Sequence, residues 1–173
     1  MKRIIALILA LISSLLLVSC GSNKNNGTTE TTPNENTGKT ESKYTFKVEN
    51  KNDFKVKIDQ DMTEVLSALG EPLSYFEAAS CAFEGLDKTY TYAGFTILTR
   101  PDGNKDYVNA IFLTDDSLTT AKGIYIGSSA EDVITAYGET EKTDTLISYT
   151  DGNTTLNFIM KDGKVVSIEY IPV

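Results

Sequence analysis

The residues of this chain best able to take part in chemistry are two cysteines and an excess of carboxylates. Cys20 closes an apolar N-terminal segment, and Cys81 lies in the small and apolar stretch 78–83. There is no histidine, so the commonest general base and the commonest zinc ligand are both missing. No cationic residue near Cys81 in sequence would lower the pKa of its thiol. We therefore predict that Cys81 is buried as a small hydrophobic side chain, with an intermolecular disulfide as the alternative.

The carboxylates suggest one possible metal site. Asp102, Asn104 and Asp106 place three oxygen ligands at alternate positions, as a calcium-binding loop begins. The sixth and twelfth positions are Tyr107 and Leu113, where such a loop requires glycine and glutamate. A hairpin turn accounts for the same residues, so we predict no metal and no other cofactor.

Several classes of function are disfavoured by what the sequence lacks. It contains no serine-nucleophile motif and no phosphate-binding glycine loop, and no carboxylate pair is marked by its spacing. The 24 acidic residues exceed the 16 basic ones, for a net charge of −8. Binding to nucleic acid requires clustered basic residues. We therefore predict a protein that is not an enzyme and that does not bind nucleic acid.

The N-terminus has the pattern of a secretory signal. Lys2 and Arg3 precede an apolar run over 4–18, which is too short to span a bilayer comfortably because spanning takes about 20 residues. The tetrapeptide Leu17-Val18-Ser19-Cys20 resembles the lipobox of bacterial lipoproteins. The resemblance implies that residues 1–19 are a signal peptide and that Cys20 is acylated by palmitate-type chains. The mature protein would then be held on the extracytoplasmic face of the cell membrane.

The rest of the chain divides at about residue 44. Residues 21–43 contain no aliphatic or aromatic side chain, so we predict a lipidated and disordered tether over 20–43. The alternating apolar and polar pattern over 44–173 predicts one globular domain.

An internal repeat organises the globular domain. Residues 54–71 can be laid over 122–139 without a gap, which predicts repeat one over about 54–116 and repeat two over about 122–173. Each copy begins as a strand, a turn and a short amphipathic helix. Asp61 and Ser128 are the expected helix N-caps, Gly127 is an expected turn residue, and Gly70 and Gly138 are the expected helix stops.

Strand signals follow each helix. In the first copy they cover 89–93, 94–99 and 107–114, and in the second 146–150, 154–160 and 164–171. Turn residues at 101–104, 151–153 and 162–163 predict hairpins, and therefore antiparallel sheet. We predict an α+β fold of two tandem repeats, each a short helix packed on an antiparallel β-sheet.

This pattern resembles the beta-lactamase-inhibitor-protein-like superfamily, which includes the SmpA/OmlA (BamE-like) lipoproteins. The resemblance rests on a glycine, serine and valine signature formed by Gly123, Gly127, Ser129, Val133 and Gly138. It implies a non-enzymatic role, such as inhibiting an enzyme or scaffolding an envelope assembly.

The strand patterns also predict a binding surface. Phe112 should point away from Ile111 and Leu113, together with Val108 and Ala110. With Tyr125, Tyr90 and Tyr92, Phe112 forms the candidate surface for a protein or cell-envelope partner. Alternatively, residues 44–49 or 73–76 cover this face. The alternative functions are an envelope structural or assembly module, or a small-ligand sensor with the three tyrosines lining a pocket.

Overall fold

Alternation of apolar and polar residues accounts for most of the regular structure. In a strand, successive side chains point to opposite faces of the sheet, so every second residue can be buried. The computed structural model describes residues 42–49 and 51–173. Its elements, in chain order, are β1 (Phe46–Val48), β2 (Phe54–Val56), α1 (Met62–Leu69), β3 (Ser74–Ala79), β4 (Leu86–Tyr92), β5 (Phe95–Asp102), β6 (Lys105–Leu113), α2 (Ala130–Tyr137), β7 (Leu146–Asp151), β8 (Thr154–Lys161) and β9 (Lys164–Pro172).

Seven of these strands form a single antiparallel sheet in the order β3-β4-β5-β6-β9-β8-β7, while β1 and β2 pair separately. Tight hairpins connect β4 to β5, β5 to β6, β7 to β8 and β8 to β9. The sheet is continuous because β6 pairs with β9 through three residue pairs, Ile111 with Tyr170, Phe112 with Glu169 and Leu113 with Ile168.

The predicted α+β fold of two helix-on-sheet repeats is wrong. The described chain is mostly β, with nine strands, one seven-stranded sheet and two helices of eight residues each. If each repeat formed its own sheet, β6 and β9 would be edge strands with unpaired backbone groups. Pairing of β6 with β9 supplies those groups with partners. The strand expected around Ile124 is also absent, because Thr120 and Ile124 hydrogen-bond to each other in a compact loop.

One face of the sheet carries the hydrophobic core. Both helices pack there, through Val65 and Val133 among others, and so does the β1–β2 pair through Phe46, which is fully buried. The sheet contributes the largest buried side chains, with Phe158, Ile168 and Tyr170 each no more than 1% exposed. A single cluster of buried residues therefore links strands from both ends of the chain.

The helix caps agree only in part with the sequence predictions. Asp61 caps α1 as predicted, accepting from the Thr63 amide at 2.9 Å. The hydrogen bond from Lys105 lowers the pKa of Asp61 to about 2. The N-cap of α2 is Ser129, which forms a capping box with Asp132, and not Ser128 as predicted. Ser128 is buried and its hydroxyl accepts from the Tyr125 amide.

Gly70 and Gly138 end the helices as predicted, and the backbone of both lies outside the left-handed helical region. Their φ values are positive, 77° and 96°, but their ψ values are extended. Gly127 lies in the turn before α2, also at positive φ.

Candidate functional site: the open face of the sheet

The strongest candidate for a functional surface is the sheet face opposite the core, which we call the open face. One row of directly paired residues crosses all seven strands on this face. At a strand spacing of about 4.8 Å the row is roughly 29 Å long. Its members, from β3 to β7, are Ser74, Thr91, Thr96, Phe112, Glu169, Asn157 and Ser148.

No described element covers the open face. The partly buried apolar residues that pack on the core come from the helices and their flanking loops, from β2 and from Tyr44 before β1, and none lies on this face. Both sequence segments expected as possible covers lie elsewhere. Residues 44–49 contribute Phe46 to the core, and residues 73–76 enter β3 in the plane of the sheet. Within 42–49 and 51–173, the open face is therefore accessible to solvent, with Ser74 exposed and the other six members of the row partly exposed.

Five of the seven members of this row are short hydrogen-bonding side chains, Ser, Thr or Asn. Ser148 donates to the Asn157 side chain at 2.7 Å, and the Thr150 and Thr155 hydroxyls lie 3.1 Å apart. Phe112, beside Glu169 near the middle of the row, is the only aromatic residue of that row. A central aromatic ring within a polar, hydrogen-bonding surround is the arrangement found at many protein-binding sites.

The sequence correctly placed Phe112 opposite Ile111 and Leu113, but it misplaced Val108. Val108 is fully buried in the core, because a β-bulge in β6 leaves Asn109 unpaired opposite Leu98 and Thr99 and shifts the register by one residue. A bulge adds an unpaired residue and reverses the alternation beyond it. Ala110 lies opposite Leu98 on the open face but is itself buried.

The three tyrosines predicted to join Phe112 do not lie beside it. Tyr90 and Tyr92 belong to the core, where burial raises the pKa of both phenols. The Tyr92 hydroxyl donates to the Gly70 carbonyl at 3.2 Å, so its role here is structural. Tyr125 is 45% exposed, but it lies in the loop before α2 and belongs to no strand. Only Phe112 of the predicted set is therefore on the open face.

The β3–β4 hairpin carries exposed apolar side chains, on both faces of the sheet, that the sequence did not reveal. Five of the eight large hydrophobic side chains that are exposed among the described residues lie in or beside it: Leu73, Tyr75, Phe76, Phe83 and Leu86. Cys81 is exposed in the same hairpin, so the prediction that it is buried is wrong. The apolar composition of 78–83 indicated burial, but these residues form the end of a hairpin that projects beyond the core.

A polar cluster at one end of the sheet was also missed. Arg100 lies 3.0 Å from the Asp59 carboxylate, and Asn153 donates to the other oxygen of Asp59 at 3.1 Å. The Arg100 guanidinium also lies over the rings of Phe83 and Tyr107. A cavity of about 190 Å³ borders Asp59. Because these residues are far apart in sequence, no local motif signals the cluster.

The residues of the possible calcium loop form a hairpin, as predicted. β5 ends at Asp102 and β6 begins at Lys105. The carboxylates diverge, because Asp106 pairs with Lys88 at 2.7 Å while Asp102 lies 3.8 Å from Arg100. The hydrogen bond from Lys88 to Asp106 raises the pKa of Lys88.

The described residues do not include the predicted signal segment 1–19, Cys20 or residues 21–41 of the predicted tether. Within the described part, no helix has the length and apolar character needed to cross a membrane.

Comparison with known proteins gives little further information. No family model matches the chain, and no curated protein matches it. Among solved structures, the chain is similar to an extracellular protein containing a SCP domain from Bacillus anthracis str. Ames, with 15% identity and a TM-score of 0.40. The similarity covers 66% of this chain, and the chain spans 44% of that protein.

Proposed function

We propose that this protein is a lipid-anchored, extracytoplasmic and non-enzymatic binding protein, and that the open face of its sheet docks a protein partner. The observation that carries the binding role is a seven-stranded sheet with one face packed and the other uncovered by any described residue. The proposed location rests on the N-terminal sequence. There a basic start is followed by an apolar run that ends in Leu17-Val18-Ser19-Cys20.

The composition of the open face favours a protein as the partner. Hydroxyl and amide groups on neighbouring strands can exchange hydrogen bonds with a partner, and Phe112 supplies a rigid apolar contact between them. Glu169, next to Phe112, would select a partner with a basic or donor group at this position. A small-ligand sensor has less support, because Tyr90 and Tyr92 pack in the core and do not line a pocket.

The binding proposal is tested by crosslinking in intact cells with matched variants of the full chain. Phe112→Ala removes the central ring of the open face, whereas Tyr125→Ala removes an exposed ring outside it. We expect Phe112→Ala to reduce capture of a specific partner by about tenfold or more, as loss of a central contact does. Tyr125→Ala should capture the partner normally.

Thermal unfolding of both variants provides the folding control. Equal capture by Phe112→Ala, Tyr125→Ala and the unmodified chain would show that the open face is not the docking surface.

The anchor is tested independently of binding. Mass spectrometry of the N-terminal peptide should find Cys20 acylated and residues 1–19 removed. Cys20→Ser should release the chain from the membrane fraction, because one sulfur then no longer carries the acyl chains. An unmodified Cys20 in membrane-bound protein would contradict the anchor.

A further inference from the structure

We propose that β3 is a self-recognition edge, through which two copies of this chain join their sheets antiparallel about a two-fold axis at Phe76. The proposal concerns the end of the sheet, so it does not depend on what the open face binds. The occupant of the edge is a second copy of this chain.

The first argument is the unpaired edge itself. β3 is a terminal strand of the seven-stranded sheet, with β4 on one side only. Leu73, just before β3, donates its amide to the Thr91 carbonyl, and at the other end Ser80 donates to the Gly85 carbonyl. Within the regular strand that Ser80 continues, alternate residues bond to the same neighbour. Phe76 therefore bonds towards β4, while Tyr75 and Glu77 direct their amides and carbonyls outward. Such an edge is a template for another strand.

The second argument is that this edge has little of the usual protection, with Glu77 as the one charged residue of β3. All six residues of β3 are exposed, and none is lysine or proline, the residues that commonly block edge pairing. Leu73 and Phe76 are 76% and 64% exposed, the two most exposed large apolar side chains of the hairpin. Phe76 lies on the open face and Tyr75 on the opposite face beside Tyr90, so a second strand at this edge would cover apolar surface on both faces of the sheet.

The third argument is that the strand is complementary to itself in one register. With Phe76 at the two-fold axis, Tyr75 pairs with Glu77 of the second copy, and Ser74 pairs with Ala78. The outward amides and carbonyls of Tyr75 and Glu77 then bond reciprocally across the interface. Phe76 and its counterpart then form a non-hydrogen-bonded antiparallel pair, in which opposed side chains are closest. The two rings meet on the open face.

Charge selects this register over its neighbour. Shifting the axis to Glu77 would place two carboxylates directly opposite each other, which is unfavourable. In the Phe76 register each Glu77 instead faces a tyrosine, which is already its hydrogen-bond partner within one copy.

Sedimentation of the full chain tests the association. Glu77→Pro removes an amide that the alternation of the strand directs away from β4, so a single copy should keep β3 paired with β4. Glu77→Gln is the matched control, because it keeps the amide. We expect a reversible dimer for the unmodified chain and for Glu77→Gln, and an association about tenfold or more weaker for Glu77→Pro. A monomer in every case would overturn the proposal.

Thiol trapping tests the register, in a Cys81→Ser background. Oxidation with diamide takes two electrons and two protons from a pair of thiols as their disulfide forms. A thiol introduced by Phe76→Cys should link to its own counterpart, since opposed residues are close enough for a disulfide. Glu77→Cys should link poorly to itself but well to Tyr75→Cys in a mixture.

Peptide mass spectrometry identifies the linked positions and so separates them from any link at Cys20. Efficient linking of Glu77→Cys to itself, or none at position 76, would overturn the Phe76 register. A failed dimer would leave capture of a partner by the open face unaffected, so the two proposals fail separately.

Discussion

At the scale of single residues, two buried tyrosines show how differently the same hydroxyl can contribute to stability. The Tyr149 hydroxyl donates to the Gly138 carbonyl at 2.7 Å, which satisfies a group at the end of α2. Tyr170 is 1% exposed, and its hydroxyl has no hydrogen-bond partner among the described residues. Burial raises the pKa of Tyr170. An unsatisfied buried hydroxyl loses its hydration without compensation.

We therefore expect opposite results from one substitution at these two positions. Tyr149→Phe should lower the free energy of unfolding by about 1 kcal/mol, because it removes a formed hydrogen bond. Tyr170→Phe should raise it by about 1 kcal/mol, because it removes the unsatisfied group and keeps the ring. Urea unfolding of both variants at one temperature measures the difference. A loss of stability in Tyr170→Phe similar to that in Tyr149→Phe would mean that the Tyr170 hydroxyl is bonded.

At the scale of elements, the tight hairpins determine how the strands align. Gly94, in the β4–β5 turn, and Gly103, in the β5–β6 turn, both have positive φ. Their surroundings differ. A Cβ at Gly94 would lie 2.7 Å from the Leu118 side chain and 2.8 Å from the Ser117 hydroxyl, whereas a Cβ at Gly103 would meet nothing within 4 Å. Gly94 therefore also provides the space in which the chain after β6 crosses this turn.

Substitution with alanine separates backbone strain from steric overlap. Both Gly94→Ala and Gly103→Ala impose the strain of positive φ, at about 1–2 kcal/mol. Gly94→Ala adds overpacking against Leu118, at about 1–3 kcal/mol more. We expect Gly94→Ala to have the lower thermal midpoint. Equal midpoints would indicate that the segment carrying Leu118 moves aside freely.

At the scale of the whole molecule, one hydrophobic core extends across a sheet whose two halves share few backbone pairs. β6 and β9 pair through only three residues each, but buried side chains from β4, β5, β6, β8 and β9 belong to one cluster. Single domains with one core usually unfold in a single step. Packing, more than backbone pairing, should therefore make the two halves of the sheet unfold together.

A core substitution at one side of the sheet tests this coupling. Phe158, on β8, is fully buried, and Phe158→Ala should cost about 3–5 kcal/mol. Amide hydrogen exchange should then speed up on β4 and β5 as much as on β7 and β8, because global opening exposes all of them. Unchanged exchange on β4 and β5 would show that the two halves open separately.

The sequence by itself determined the local structure in most of the second half of the chain. Hairpins around 151–153 and 162–163, the strands beside them and the two helices were all predictable, because turn chemistry and periodicity act over a few residues. The N-cap Asp61 was predictable for the same reason. The N-cap of α2 is Ser129, one residue after the predicted Ser128, because two adjacent serines offer equivalent caps.

Only the tertiary structure decided which strands share a sheet and which side chains are exposed. The pairing of β6 with β9 joins residues nearly sixty positions apart, so no local pattern could reveal a single seven-stranded sheet. The bulge at Asn109 in β6 moved Val108 into the core, and the reach of the β3–β4 hairpin beyond the core exposed Cys81 and Phe76. Exposure depends on what packs against a residue, and that is a property of the whole fold.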